Sequence, residues 1–273
     1  MTRPPALNAD QREVLAALGL YHLMTVEQLQ RVGAANGSKR RVEAALTLLI
    51  RKHLVSRKEA ETIAYKDRLP AVHWLVPKGA AELGDGQGSE RRFRGVSQTR
   101  HRMAIVDVHI ALREWAHEAG AGVTFVADFE PAGARQPKPT TLLYAGHKFS
   151  PDALAGVELP GGERLALALE VERGGAIEDR NPFRDGLPHW RGVAEDEVME
   201  NVLGLDRPAR FLMVFQSAEM RRKALGDWAK AEPAAPVWRR FYCKGLDELG
   251  PDFGAGWWQP NGAQSALFHE LPA

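Results

Sequence analysis

Apolar positions in the first eighty residues recur at helical spacing and then begin to alternate. Asn8-Ala9-Asp10-Gln11 opens the first periodic stretch: Asn8 can cap a helix and Gln11 stands at the reciprocal capping position. Val14, Leu15 and Leu18 supply its apolar stripe. Thr25-Val26-Glu27-Gln28 repeats the capping pattern and starts a short second helix carrying Leu29 and Val32. Asn36-Gly37 makes a turn, and Ser38 is placed to cap a third helix reaching about His53, with Val42, Ala45, Leu46 and Leu49 as its core stripe. The opposite face, Lys39, Arg40, Ala44, Thr47 and Arg51, is basic, small and polar. Val55-Ser56-Arg57-Lys58 follows the helix. Ile63-Ala64-Tyr65 and Val72 to Val76 read as hairpin strands around Lys66-Asp67-Arg68-Leu69-Pro70.

Beyond Val76-Pro77-Lys78-Gly79 the pattern breaks at Gly84-Asp85-Gly86-Gln87-Gly88-Ser89-Glu90, a linker by composition. The division is therefore an N-terminal domain over 1–84, a linker over 85–96 and a second domain over 97–273. Basic Arg91, Arg92, Arg94, Arg100 and Arg102 follow the linker. A long amphipathic helix is predicted from about Ser97 to Ala119, and a strand from Val123 to Glu130. Next comes a strand-like run, Leu142-Leu143-Tyr144 to Lys148-Phe149, with Asp152 at its end. A second run, Arg164 to Leu169, continues into Glu170-Val171-Glu172. Pro160-Gly161-Gly162-Glu163 suits a hairpin turn between the two. A helix over about 193–204, a buried strand Arg210–Phe215, a helix Glu219–Lys230 with basic Arg221, Arg222 and Lys223 in its first turns, and a last strand Arg239–Cys243 complete a mixed α/β order, an α+β fold.

Charge separates the two ends. Residues 1–102 carry 18 Lys+Arg against 10 Asp+Glu, and the remainder carries 18 against 25, so a near-neutral chain of net +1 is basic at one end and acidic at the other. Such asymmetry points to a nucleic acid as partner of the basic end. No apolar run approaches the roughly 20 residues a membrane span needs, and Met1-Thr2-Arg3-Pro4-Pro5 lacks the apolar core of a secretory signal. With Cys243 the single cysteine, neither an internal disulfide nor a Cys-based zinc site is available. The expectation is a cytoplasmic protein without a membrane partner.

The first domain has the order of a winged helix-turn-helix. Its third helix would enter the major groove, placing basic Lys39, Arg40 and Arg51 at phosphates and Thr47 near base edges. Arg57, Lys58, Lys66 and Arg68 would follow the backbone from the wing.

In the second domain, side chains two apart on a strand share a face, so Glu170 and Glu172 can converge on Asp152 if the runs pair. An acidic strand face is usually a solvated one. Three carboxylates on one face would be accounted for by a hard cation, Mg²⁺ or Mn²⁺, bound through carboxylate oxygens. Glu130 is a weaker candidate on a neighbouring strand. His109, His147 and His189 show no ligand-like spacing, His101 could reach phosphate, and none of Tyr21, Tyr65, Tyr144 and Tyr242 has the context of a covalent nucleophile. Trp257-Trp258 reads as core packing.

Pro151-Asp152 followed by Glu170-Val171-Glu172 resembles the PD-(D/E)xK nuclease superfamily, with Glu172 where a lysine usually stands. The whole order resembles the replication-relaxation family of plasmids and integrative elements, some of whose members are similar to MobC-type mobilisation proteins. The stretches that carry this are Thr99-Arg100-His101-Arg102-Met103-Ala104-Ile105-Val106-Asp107, Phe149-Ser150-Pro151-Asp152, Leu169 to Gly174, and Phe215-Gln216-Ser217 to Arg221 or Arg222. After Glu172 the family tends to a helix with a Lys and a Tyr. Asn181 to Trp190 is interrupted here by two prolines, leaving Arg180 or Arg184 as substitutes for the basic residue. The resemblance implies a DNA-binding protein of replication or mobilisation, with replication or mobilisation proteins as partners and a homodimer allowed. Two readings stay open: a Mg²⁺-dependent DNA nickase with Asp152, Glu170 and Glu172 as catalytic metal ligands, or a non-catalytic accessory or regulator using the nuclease-like domain as scaffold.

Overall fold

The structure, a computed structural model, describes residues 6–58, 70–84, 96–130, 138–172, 182–231, 235–250 and 252–268, with the side chains of 96–97 and 182–185 outside that description. It is a mixed α+β chain in two compact units, Met1–Asp107 and Val108–Ala273. Among the described residues, no helix is long and apolar enough to cross a membrane.

In the first unit, helix α1 (Ala9–Tyr21) and helix α2 (Val26–Arg31) both begin at complete capping boxes, Asn8 with Gln11 and Thr25 with Gln28. Each box satisfies two amide donors that a helix start otherwise leaves open. The turn before helix α3 (Lys39–Arg51) puts Ala35, Asn36 and Gly37 in left-handed conformations, at φ 52°, 55° and 65°. Ser38 occupies the cap position of α3 as expected, but its side chain makes no capping bond. Val14, Leu15, Leu18, Val42, Ala45, Leu46 and Leu49 are all buried, so both predicted stripes meet in one core. Full burial of each of the larger ones contributes roughly 1.5–3 kcal/mol.

Strand β1 (Val55–Lys58) pairs antiparallel with strand β2 (Val72–Leu75), Val55 opposite Leu75. The partner of β2 is thus β1; the expected strand at Ile63–Tyr65 and the tip bearing Lys66 and Arg68 lie outside the described residues. Helix α4 (Pro77–Glu82) starts on a proline, tolerated there because the first-turn N–H has no intrahelical acceptor. Its Gly79 lies against the chain: a Cβ there would sit 2.0 Å from the Leu54 carbonyl oxygen. Helix α5 (Val96–Ala119) follows, and within the first unit Gln28 Nε2 donates to Met103 O and Asp107 Oδ1, at 3.1 and 2.9 Å.

The second unit is built on a seven-stranded sheet. In chain order its strands and helices are β3 (Gly122–Ala127), β4 (Leu142–Tyr144), β5 (His147–Phe149), β6 (Ala153–Glu158), β7 (Arg164–Glu172), α6 (Pro182–Glu195), α7 (Val198–Leu203), β8 (Arg210–Phe215), α8 (Ala218–Ala231), β9 (Phe241–Gly245), β10 (Trp257–Trp258) and β11 (Gln264–Ser265). Sheet order is β11-β10-β9-β8-β7-β6-β3, with β7, β8 and β9 parallel and the other pairs antiparallel. One face packs an aromatic core in which Phe211 stacks on Phe241 at 4.6 Å and Trp190, Trp228 and Trp238 stand edge-on around them. Trp257 is buried as packing, as expected. Cys243 is fully buried and its thiol is pushed far above the ordinary range by desolvation, so the single cysteine is inert.

Three expectations are corrected. Asp152 does not end the run that begins at Leu142: β4 and β5 form a separate hairpin turning through Ala145 and Gly146, and Asp152 immediately precedes β6. The Pro160–Glu163 turn therefore joins β6 to β7. Ala153-Leu154-Ala155-Gly156-Val157 hides as a strand because its small residues blur the alternation that marks one. The proline-containing stretch is helical: α6 opens at Pro182 and carries Pro188 inside, tolerating the loss of one amide donor. Arg239 and Arg240 belong to a 3₁₀ turn that precedes β9.

Candidate active site and nucleic-acid interface

Strand β7 changes character along its length. Leu165 to Leu169 are buried on both faces, the mark of a central strand, and then Glu170 and Glu172 appear, half-buried, on the face that carries Ala166 and Ala168. Antiparallel pairing sets Ala153 opposite Leu169, and one further step in that register puts Asp152 opposite Glu170. The sequence thus brings the Asp to the glutamates through β6, not through the run before it.

Asp152 is buried, and its Oδ2 accepts from Val171 N at 2.8 Å. The Glu170 carboxylate in turn accepts from the main-chain N–H of Asp152. Burial raises the Glu170 carboxyl well above the ordinary carboxylate range, and the charges of Asp152 and Glu172 push it further; the Asp152 N–H and Lys138 act against this. The three predicted acids are therefore within electrostatic reach of one another. Among the described residues, no three His, Cys, Asp or Glu side chains are grouped as ligands of a metal ion. A donor set limited to two close carboxylates still suits Mg²⁺, which characteristically keeps several waters and takes phosphate oxygens as further ligands.

Neighbouring polar groups gather at the same end of the sheet. Asp128 N donates to Asp152 O at 2.8 Å, and Lys138 Nζ reaches Asp128 Oδ2 at 2.6 Å. Thr140 Oγ1 donates to Pro151 O at 2.7 Å and holds the approach to Asp152. Glu130, the weaker candidate, accepts from Ala127 N at 2.7 Å, and burial raises its carboxyl. A cleft over β3, β6 and β7, lined by Thr124, Leu154, Gly156, Ala166 and Leu203, includes none of the three acids.

Two groupings escaped sequence reasoning. His147 and His189, unrelated by spacing, come within 6.2 Å ring to ring, and His147 Nε2 lies 2.6 Å from Asp196 Oδ2. The His189 imidazole is shifted down by burial and by His147. Arg221, unlike the other basic residues in the first turns of α8, is buried: its guanidinium makes a two-bond fork on Glu248 at 2.7 and 2.9 Å and lies over the Trp258 ring. Arg222 and Lys223 remain exposed.

In the first unit, α3 displays Lys39, Arg40, Ala44, Thr47 and Arg51 as expected, all exposed. Arg41 is committed to Asp10 through its guanidinium. Arg57 is exposed and Lys58 half-buried on β1; Lys66 and Arg68 lie outside the described residues. Leu48 is 39% exposed beside Ala44, a position that the apolar stripe did not single out.

A protein-family model described as replication-relaxation matches residues 15–181 of the chain, running from the α1 core to just past the two glutamates. No curated protein and no solved structure matches it.

Proposed function

Because the chain belongs to the replication-relaxation family, we propose that it acts on double-stranded DNA in the replication or mobilisation of a mobile element. By this reading Met1–Asp107 holds a winged helix-turn-helix whose α3 enters the major groove. Lys39, Arg40 and Arg51 meet phosphates there, and Arg57 and Lys58 continue along the backbone. Replication or mobilisation proteins are the partners this role calls for.

The second unit then carries a PD-(D/E)xK-type nicking site. The observation behind it is the crowding of Asp152, Glu170 and Glu172 at one sheet end, with the Glu170 carboxyl raised well above the ordinary carboxylate range by burial and by its acidic neighbours. Structural carboxylates are seldom arranged against one another in this way, whereas functional ones are. Asp152 and Glu170 would hold Mg²⁺ or Mn²⁺, which when bound neutralises a scissile phosphate and acidifies a water. Glu170 would have to be ionised to serve as a ligand, against that upward shift. Glu172 adds negative charge and a proton acceptor at the site, and cannot supply the cation of the usual lysine.

A second reading, a DNA-binding accessory with the second unit as scaffold, draws on that same Glu172 and on the absence of a three-ligand group among the described residues. Supercoiled plasmid incubated with Mg²⁺ or Mn²⁺ decides between them. The nickase reading expects open circles with the native chain and none with Asp152→Asn, a variant that keeps an oxygen to accept from Val171 N. Nicking unchanged in Asp152→Asn removes this site from the mechanism, and no nicking of plasmids bearing the element's own origin leaves the accessory role.

A further inference from the structure

The outward face of α3 is not uniformly polar. A step of 100° per residue puts Arg40, Ala44, Thr47 and Arg51 within the arc opposite the core stripe of Val42, Ala45, Leu46 and Leu49. Leu48 stands beside them on the flank toward α1, and Glu43 on the other flank. Thr47 Oγ1 donates to the Glu43 main-chain oxygen at 2.8 Å. The one proton of its hydroxyl is thereby committed within the helix, so toward a partner it offers its methyl group and an acceptor oxygen but no donor. Ala44 and Leu48 share a shallow groove with Arg40, Asn8 and Asp10 at the start of α1. The centre of this face is thus a patch of three methyl-bearing side chains between two arginines, not the row of small polar groups that the sequence suggested.

In the major groove, apolar side chains find one base-edge group of their own kind, the C5 methyl of thymine. Lysine and arginine at both ends of the patch favour a polyanion over an apolar protein surface. We infer that Ala44, Thr47 and Leu48 form a methyl-reading patch that selects thymine within the DNA site gripped by Arg40 and Arg51. This rests on the DNA-binding reading above. Such a patch sets which sequence the helix prefers, a choice that phosphate-binding side chains cannot make.

Deoxyuridine in place of thymine removes only that methyl and keeps every hydrogen-bonding group. Duplexes selected from a random library by the full chain are therefore resynthesised with deoxyuridine throughout, and the affinities of the two forms are compared. The native chain is expected to bind the thymine form about fourfold more tightly for each methyl it touches, the equivalent of about 0.8 kcal/mol per buried carbon group. Thr47→Ser with Leu48→Ala, both at exposed positions, strips the patch to the Ala44 methyl and a short Cβ at 48. This double variant should narrow that preference while leaving the slope of affinity against salt, which Arg40 and Arg51 set, unchanged. Equal binding of both forms by the native chain overturns the inference, as does a preference that stays at its full native size in the double variant. A library that yields no bound duplex overturns the DNA-binding reading beneath it instead.

Discussion

Asp152 and Glu170 are locked by a reciprocal main-chain exchange: the Asp152 carboxylate accepts from the N–H next to Glu170, at Val171, and the Glu170 carboxylate accepts from the N–H of Asp152 itself. Two acids that repel are held side by side because each is fixed by the other's strand. The rigidity of that pairing has measurable consequences.

Glu170 has a carboxyl raised in the fold and ordinary in the unfolded chain, so above the ordinary carboxylate range the folded form binds more protons than the unfolded one. Stability is fully present below the unfolded value and falls as pH rises through the folded one. Glu170→Gln removes that fall. Thermal melts should show the variant a few degrees above the native chain at pH 8 and level with it at pH 4; a variant less stable at pH 8 would mean that the Glu170 charge is well accommodated.

The same upward shift opposes a cation. A ligating carboxylate must be ionised, so binding Mg²⁺ should expel a proton from Glu170 and tighten as pH rises. Calorimetric titrations with Mg²⁺ alone, in buffers of differing ionisation heat near neutral pH, should report proton release that Glu170→Gln abolishes. Heats independent of the buffer would separate Glu170 from any metal.

For the helix face of the first unit, Arg40→Ala combined with Arg51→Ala should weaken duplex binding at every sequence. It should also lower the slope of log affinity against log salt by about 1.8, near 0.9 for each phosphate that goes unneutralised. An unchanged slope would place these arginines away from the backbone.

Gly79 tests the packing of that unit. The Cβ of Gly79→Ala would fall 2.0 Å from the Leu54 carbonyl oxygen, a main-chain atom that cannot swing aside. The substitution should cost about 1–3 kcal/mol, as overpacked cores do. Denaturant unfolding of the variant and native full chains, followed by their helical circular dichroism, measures it. An unshifted midpoint would show that the loop before β1 yields.

What the chain determines alone is what its nearest neighbours can decide. Asn8 with Gln11 and Thr25 with Gln28 act across three residues, and the stripe from Val42 to Leu49 lies on one helix, so their elements were legible before any folding was known. The acids at 152, 170 and 172 were legible as residues, and the family resemblance with them. Their meeting was not. It is set by β6, whose small side chains carry little alternation and whose register with β7 is decided by the turn at Leu159–Glu163 and by burial against the rest of the sheet. Arg221 reads only as one of three basic residues opening a helix until the turn at Leu246–Glu248 brings Glu248 to it. His147 and His189, 42 positions apart in number, meet only because a hairpin and α6 pack on one face. Helix starts depend on hydrogen bonds within one turn of chain. The pairing of Asp152 with Glu170 depends on which strands exclude water together, and that is decided only when the whole sheet forms.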